Sequence, residues 1–261
     1  MSVIVTKHGH VLAYRKPGRF HSMRAKALPP LKDVAVKPAV DLRPSFPGIS
    51  DQAQIGACTA FGTDETFETI VGVLTGKVIP VRRSKLFSYA VTRMAEGSFP
   101  ADDGATMADE FACGQADGFC SDPLFPYSVG VAAKPGPDCY QDALKWRFPD
   151  PSMVPGDAQS MKTVLSFGRP IGISLGVTTP FEEVGADGRI AVPSTTDQVL
   201  GGHGLCCLGY NAYGWIVANS WSMSWGDQGF CYLQYGWETS MWERYTDASD
   251  SSQWTFPQVA A

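Results

Sequence analysis

The sequence contains no apolar run approaching the length of a bilayer span, so no transmembrane helix is expected. Its first residues, MSVIVTKHGHVLAYRK, lack the continuous apolar stretch of a secretory signal. The expected location is therefore the cytoplasm, or outside the cell by a non-classical export route. There are seven cysteines and only four histidines, with no C-x-x-C knuckle among them. A zinc site is not expected, and neither is any other cofactor. An odd cysteine count leaves at least one thiol unpaired within the chain. Internal repeats and low-complexity tracts are also absent. What remains is a 261-residue chain, 44% hydrophobic and 18% charged, with 27 glycines and 19 prolines. That is enough for one large domain or two modest lobes, rich in loops.

Acidic residues are missing altogether from residues 1–32, which carry Lys7, Arg15, Lys16, Arg19, Arg24, Lys26 and Lys32. The remainder then holds 14 basic against 26 acidic residues. A basic segment on an acidic body is drawn to that body or to an anionic ligand, unless it is simply a mobile tail. Pro17, Pro29 and Pro30 interrupt it and no helical period is sustained, so residues 1–37 read as an extended arm. Arg15, Lys16 and Arg19, next to Tyr14 and Phe20, form a weaker candidate site for a nucleotide or other anion.

Beyond the arm, apolar spacing predicts helices at 58–76, 84–97 and 105–118. The second half changes character. A short helix at 161–168 is followed by strand-like runs at 169–177, 202–211, 213–221 and 226–235. Helices first and strands later is an α+β pattern with two lobes.

Within QIGACTA, Cys58 opens the first predicted helix, where unpaired N–H groups and the helix dipole favour a thiolate. His203 is the one histidine outside the arm, in GGHG at the start of a strand. Asn219 follows 16 residues later, and a hairpin of the two strands would return it to His203. Taken singly each has a bland reading: a core thiol, a satisfied core histidine, a turn asparagine. Together they supply a nucleophile, a base and a group to orient the base.

These blocks resemble the papain-like cysteine peptidases. Gly56, Ala57 and Cys58 match part of the family's C-G-[SA]-C-[WY] signature, and Gln52 stands where the family has its oxyanion glutamine. GGHGLCCLGY is similar to its histidine strand and NSWSMSWGDQGF to its Asn-Ser-Trp segment. The 145 residues from Cys58 to His203 lie within the family interval of about 130–150. GRPIGISLGVTTPFEEV is closer to bacterial members than to plant or lysosomal ones.

The resemblance implies a helical left lobe at about 50–145 and an antiparallel, barrel-like β lobe at about 146–240. The 38–49 strand joins the β lobe, and a cleft runs between the two. The catalytic domain would cover 38–250 and a tail 251–261. It further implies Cys58 as nucleophile, His203 as base and acid, Asn219 as its orienting partner, and Gln52 in the oxyanion hole. Trp221 would shield the His203–Asn219 pair, Asp103 and Gly104 would pair with substrate backbone, and Ser174, Gly202 and Gly204 would line an apolar pocket.

Two departures stand out. Ile55 replaces one usual half-cystine, and Cys139 has no partner in residues 59–112, leaving Cys120 as its open alternative. The arm is too short for a propeptide with its own core, but long enough to lie across a cleft and inhibit. The expected activity is that of an endopeptidase acting on proteins or peptides through a thioester, without membrane attachment. A papain-fold acyltransferase or deamidase, and a binding protein on a non-catalytic scaffold, are the alternatives.

Overall fold

The computed structural model describes residues 4–7, 9–12, 28–31 and 33–257. The described start of the arm is not extended. Strands β1 (Ile4–Val5) and β2 (Val11–Leu12) form an antiparallel hairpin. Gly9 adopts φ of 84°, and the Thr6 hydroxyl and carbonyl accept from the His10 and Gly9 N–H groups, which closes the turn. Strand β3 (Val40–Asp41) follows at the entrance to the main body.

Three helices then fulfil the expected pattern. Helix α1 (Cys58–Thr75) ends at Gly76, which is left-handed at φ of 67°. Helix α2 (Lys85–Glu96) is capped by the Ser84 side chain, and α3 (Met107–Ala116) by that of Thr106. Helix α4 (Pro137–Ala143), which shows no long apolar period, follows. The second half adds β4 (Ser152–Met153), then α5 (Ala158–Ser166), which starts earlier than its apolar spacing indicated because Asp157 caps it. Next come β5 (Ile171–Thr178), α6 (Thr179–Glu182), β6 (Arg189–Ile190) and β7 (Val199–Tyr210). The chain ends with β8 (Gly214–Ala218), β9 (Phe230–Gln234) and β10 (Met241–Thr246).

Apart from the β1–β2 hairpin, the strands form one eight-stranded sheet in the order β4-β10-β5-β7-β8-β9-β6, with β3 beside β7. Every pairing is antiparallel except β6 with β9. Ile173, Leu175, Val177, Trp215 and Leu233 are among the side chains that fill the β-lobe core. Phe67, Ile70, Phe111, Phe119 and Phe148 fill the helical lobe. The two-lobe α+β architecture expected from the resemblance is present.

Its limits differ in one respect. The β lobe runs on to Thr246, and the described part of the supposed tail folds back: Trp254 is buried against Phe67 and Phe148. A large aromatic surface that finds a core does not remain a tail. The seven cysteines form no disulfide among the described residues.

Helix α1 is the seam between the lobes. A Cβ on Gly62 would lie 2.8 Å from the Leu205 carbonyl oxygen, and one on Gly204 would lie 2.9 Å from that of Cys58. Backbone therefore meets backbone where β7 crosses the start of the helix. Residues Cys58 to Gly72 are all buried, including Asp64, Glu65 and Glu68. Glu68 pairs with Lys85 at 2.8 Å and Arg82 at 3.0 Å. Burial pushes its carboxyl up, but these two cations outweigh it and hold the group below its ordinary range. Asp64 and Glu65 have less compensation, and burial raises them to about 8 and about 7.

A carboxyl raised in the fold contributes stability at acidic pH that is lost as pH rises toward its folded pKa. The window for Asp64 opens at its ordinary value of 3.8 and closes near about 8. Asp64→Asn is therefore expected to be more stable than the parent at pH 8, by about 1 kcal/mol or more, and little different at pH 4. Urea unfolding at the two pH values checks this, and equal stabilities at pH 8 would refute it.

Candidate active site

Cys58 is fully buried at the first position of α1, where Ala57 supplies no side-chain cap. The first-turn N–H groups of the helix are thus not consumed by a capping side chain. Directly above lies β7, with His203 next to the glycine that touches the Cys58 backbone. The antiparallel pairing of β7 and β8 sets Cys206 opposite Ala218, so the chain leaving β8 returns Asn219 toward His203. His203 Nε2 and Asn219 Oδ1 are 2.7 Å apart. An amide oxygen only accepts, which assigns the imidazole proton to Nε2 and leaves a lone pair on Nδ1. Nδ1 is buried and has no hydrogen-bond partner.

Aromatic rings close this pair off. Trp221 lies 4.7 Å from the His203 ring, and Phe181 and Trp225 meet Trp221 edge-on at 5.8 and 5.5 Å. Burial pushes His203 down to about 4; the Asn219 bond opposes this, and His10 adds to it. The imidazole is therefore neutral near pH 7.

Gln52 is fully buried and clamped at both ends. Its N–H donates to the Ser220 carbonyl at 2.9 Å, its carbonyl accepts from Tyr127 Oη at 2.9 Å, and its Oε1 accepts from Ser220 Oγ at 2.7 Å. That leaves Nε2 to donate to the Ile55 carbonyl and to the Val11 carbonyl of the arm, each at 3.1 Å. On either side of Val11, His10 stacks on Trp221 at 5.5 Å and Leu12 lies over Gly201.

Asp102 accepts from the Gly56 N–H at 3.1 Å and from Tyr89 Oη at 2.6 Å, and Tyr89 Oη accepts from Gly104 N–H at 2.9 Å. The strip at Asp103 and Gly104 is thereby tied to the turn before Cys58. Ser174 is fully buried on β5 opposite Gly204, and Gly202 pairs with Gly176. Gly204 faces the α1 backbone. Arg15, Lys16 and Arg19 lie outside the described residues. No group of three or more His, Cys, Asp or Glu side chains among the described residues is arranged to hold a metal. Nor is any described helix long and apolar enough to cross a membrane.

Sequence reasoning did not single out Ser220, Tyr127, Tyr89 or Asp102, which hold Gln52 and the turn before Cys58 in place. Ser220 was visible within the Asn-Ser-Trp block. The other three carry no local signal, because their partners are 13 to 75 positions away.

A family model for papain family cysteine proteases matches residues 36–248. The chain belongs to the papain family. It is similar to an uncharacterized peptidase C1-like protein of Acanthamoeba polyphaga mimivirus, 28% identical over 71% of this chain and 63% of that protein. Thiol protease SEN102 of Hemerocallis is 26% identical over 72% of this chain and 51% of its own length. The chain thus spans about half to two thirds of these papain-family relatives. Among solved structures it is similar to xylellain, a cysteine protease from Xylella fastidiosa. The TM-score is 0.81 at 24% identity, covering 94% of this chain and 97% of that one.

The depressed His203 value has a direct consequence. Its folded pKa lies below the ordinary 6.5, so the fold loses stability as pH falls from there toward about 4. In a nitrogen-15 NMR titration of the full chain, His203 is expected to stay neutral at about pH 5, where an ordinary histidine is charged. Titration near pH 6.5 would contradict the burial argument.

Proposed function

We propose that this chain is a cysteine endopeptidase that cleaves peptide bonds through a thioester on Cys58 and is held inactive by its own arm. The observation that carries the reading is the Gln52 amide donating to a peptide carbonyl beside the buried His203–Asn219 pair. A carbonyl held there is polarised where charge develops when a thiolate attacks.

In the proposed cycle His203 takes the Cys58 proton on Nδ1, and the Nε2–H bond to Asn219 keeps the imidazolium in place. The thiolate attacks the substrate carbonyl, whose oxyanion receives the Gln52 amide and the Cys58 N–H. His203 then protonates the leaving amine, and water cleaves the thioester with the same histidine as base. Trp221 keeps bulk water from the His203–Asn219 bond, which strengthens it. Asp103 and Gly104 bind substrate backbone, and Ser174, Gly202 and Gly204 form the walls of an apolar pocket.

The arm supports inhibition by its direction as well as its position. His203 protonates the leaving amine, so the Trp221 side of the site receives the leaving half of a substrate. The arm has His10 on that side and Leu12 away from it, over Gly201, which is the reverse of a substrate. Its Val11 carbonyl fills the oxyanion position without offering a correctly directed bond. With the arm seated, His203 is dry and neutral, and the thiolate–imidazolium pair is disfavoured.

An epoxide thiol-peptidase inhibitor, followed by intact mass and peptide mapping, tests both parts. Cys58 is expected to label faster than the other six cysteines. Leu12→Asp, which puts a charge into the buried Leu12 seat, should speed labelling about tenfold or more. Equal rates in the two chains would remove the inhibitory arm, and no preference for Cys58 would remove the nucleophile. Gln52→Ala is expected to lower kcat by about 10²- to 10³-fold in steady-state peptide hydrolysis.

A further inference from the structure

We propose that the groove on the leaving-group side of Cys58 is a cation-selecting subsite, which favours substrates with lysine or arginine in the first three positions after the cleaved bond. The proposal rests on the peptidase reading above and adds to it the charge of the substrate. The groove is a cavity of about 450 Å3 walled by Asp51, Glu182, Glu183, Trp221 and Trp225. Trp221 lies against His203 and also lines this cavity. The cavity is therefore next to where the chain departs when His203 protonates the amine.

Three carboxylates face this space, and the only basic side chains lining it among the described residues are Lys7 and His10 of the arm. The acids are fixed by structure rather than scattered on a surface. Glu182 is 8% exposed at the end of α6, and its carbonyl accepts the Trp225 indole N–H at 3.3 Å. Asp51 is bridged to Trp221 backbone to backbone, and its carboxylate accepts from the Ala53 N–H at 2.8 Å.

The seated arm shows how a peptide uses the groove. Lys7 Nζ reaches Glu183 Oε1 at 2.7 Å while the Lys7 N–H donates to Glu182. His10 sets Nε2 3.2 Å from Asp51 Oδ1 and lays its ring parallel to Trp221, 13° from coplanar. A lysine or arginine head placed over that indole face beside the carboxylate would be attracted by both. Independently of the acids, the Trp221 indole N–H is 1% exposed at the residue level and has no hydrogen-bond partner. A peptide carbonyl in the groove would satisfy it. Charge and unused donor together describe a basic peptide segment.

Quenched peptides carrying lysine, norleucine or glutamate at each of the three positions test this by their relative kcat/KM on the full chain. A competing arm divides every value by the same factor, so the ratios report the groove alone. Lysine should exceed norleucine about 2- to 5-fold at low salt, with glutamate below both. The preference should shrink as salt is raised from about 20 to about 500 mM. Glu182→Gln combined with Glu183→Gln should bring the ratio toward one. A ratio of one in the parent, or one unchanged in the double variant, overturns the proposal.

Absence of turnover in every chain would count against the peptidase reading alone. The subsite is then decided by titrating the Leu12→Asp chain with a lysine tripeptide and its norleucine analogue, followed by tryptophan fluorescence. Tighter binding of the lysine peptide that is lost with Glu183→Gln supports the subsite, and equal binding refutes it.

Discussion

The close approach of β7 to the first turns of α1 is the constraint on which the site depends. It exists because Gly62 and Gly204 have no side chain where the two backbones cross. Only at that separation does a residue on β7 stand beside a residue at the helix N-terminus, although 145 positions separate them in the chain. Any methyl group at the crossing would wedge strand from helix and part His203 from Cys58 before disturbing either core.

Three consecutive residues then complete the arrangement. Asn219 fixes the imidazole, Ser220 grips both the backbone and the side chain of Gln52, and Trp221 covers the result. The Ser220 N–H also donates to Asn219 Oδ1 at 2.8 Å, so the histidine partner and the clamp on Gln52 share one peptide segment. A shift of that segment would disturb both halves of the site together. This coupling is rigid because the Gln52 and Ser220 side chains and the Asn219 oxygen are all partnered, leaving only His203 Nδ1, the Asn219 amide nitrogen and the Trp221 indole N–H of its side-chain polar atoms without one.

Much of this was legible in the sequence. Helices α1 to α3 and strands β5, β7, β8 and β9 follow from apolar spacing and from stops such as Gly76 and Gly97, because local pattern and tertiary burial agree there. Cys58, Gln52, His203 and Asn219 were legible through motif and interval. What escaped is non-local. Strand β10 reads MWERYT, with Glu243 inside a sheet because its carboxylate accepts from the N–H groups that open α3. Apolar spacing marked helix α1, yet its carboxylates are buried too, and Glu68 meets Arg82 from the next loop and Lys85 from the start of α2. The arm looked extended because a two-residue strand and a glycine turn leave almost no periodic trace.

The seat of Trp254 has a further meaning for the living chain. Its ring completes a core whose other members, Phe67 and Phe148, are made far earlier. The helical lobe therefore leaves part of its aromatic surface uncovered in any chain that stops short of Trp254. A cut within the exposed residues 250–253 would thus unseat a ring from a core built mostly of residues 67–148.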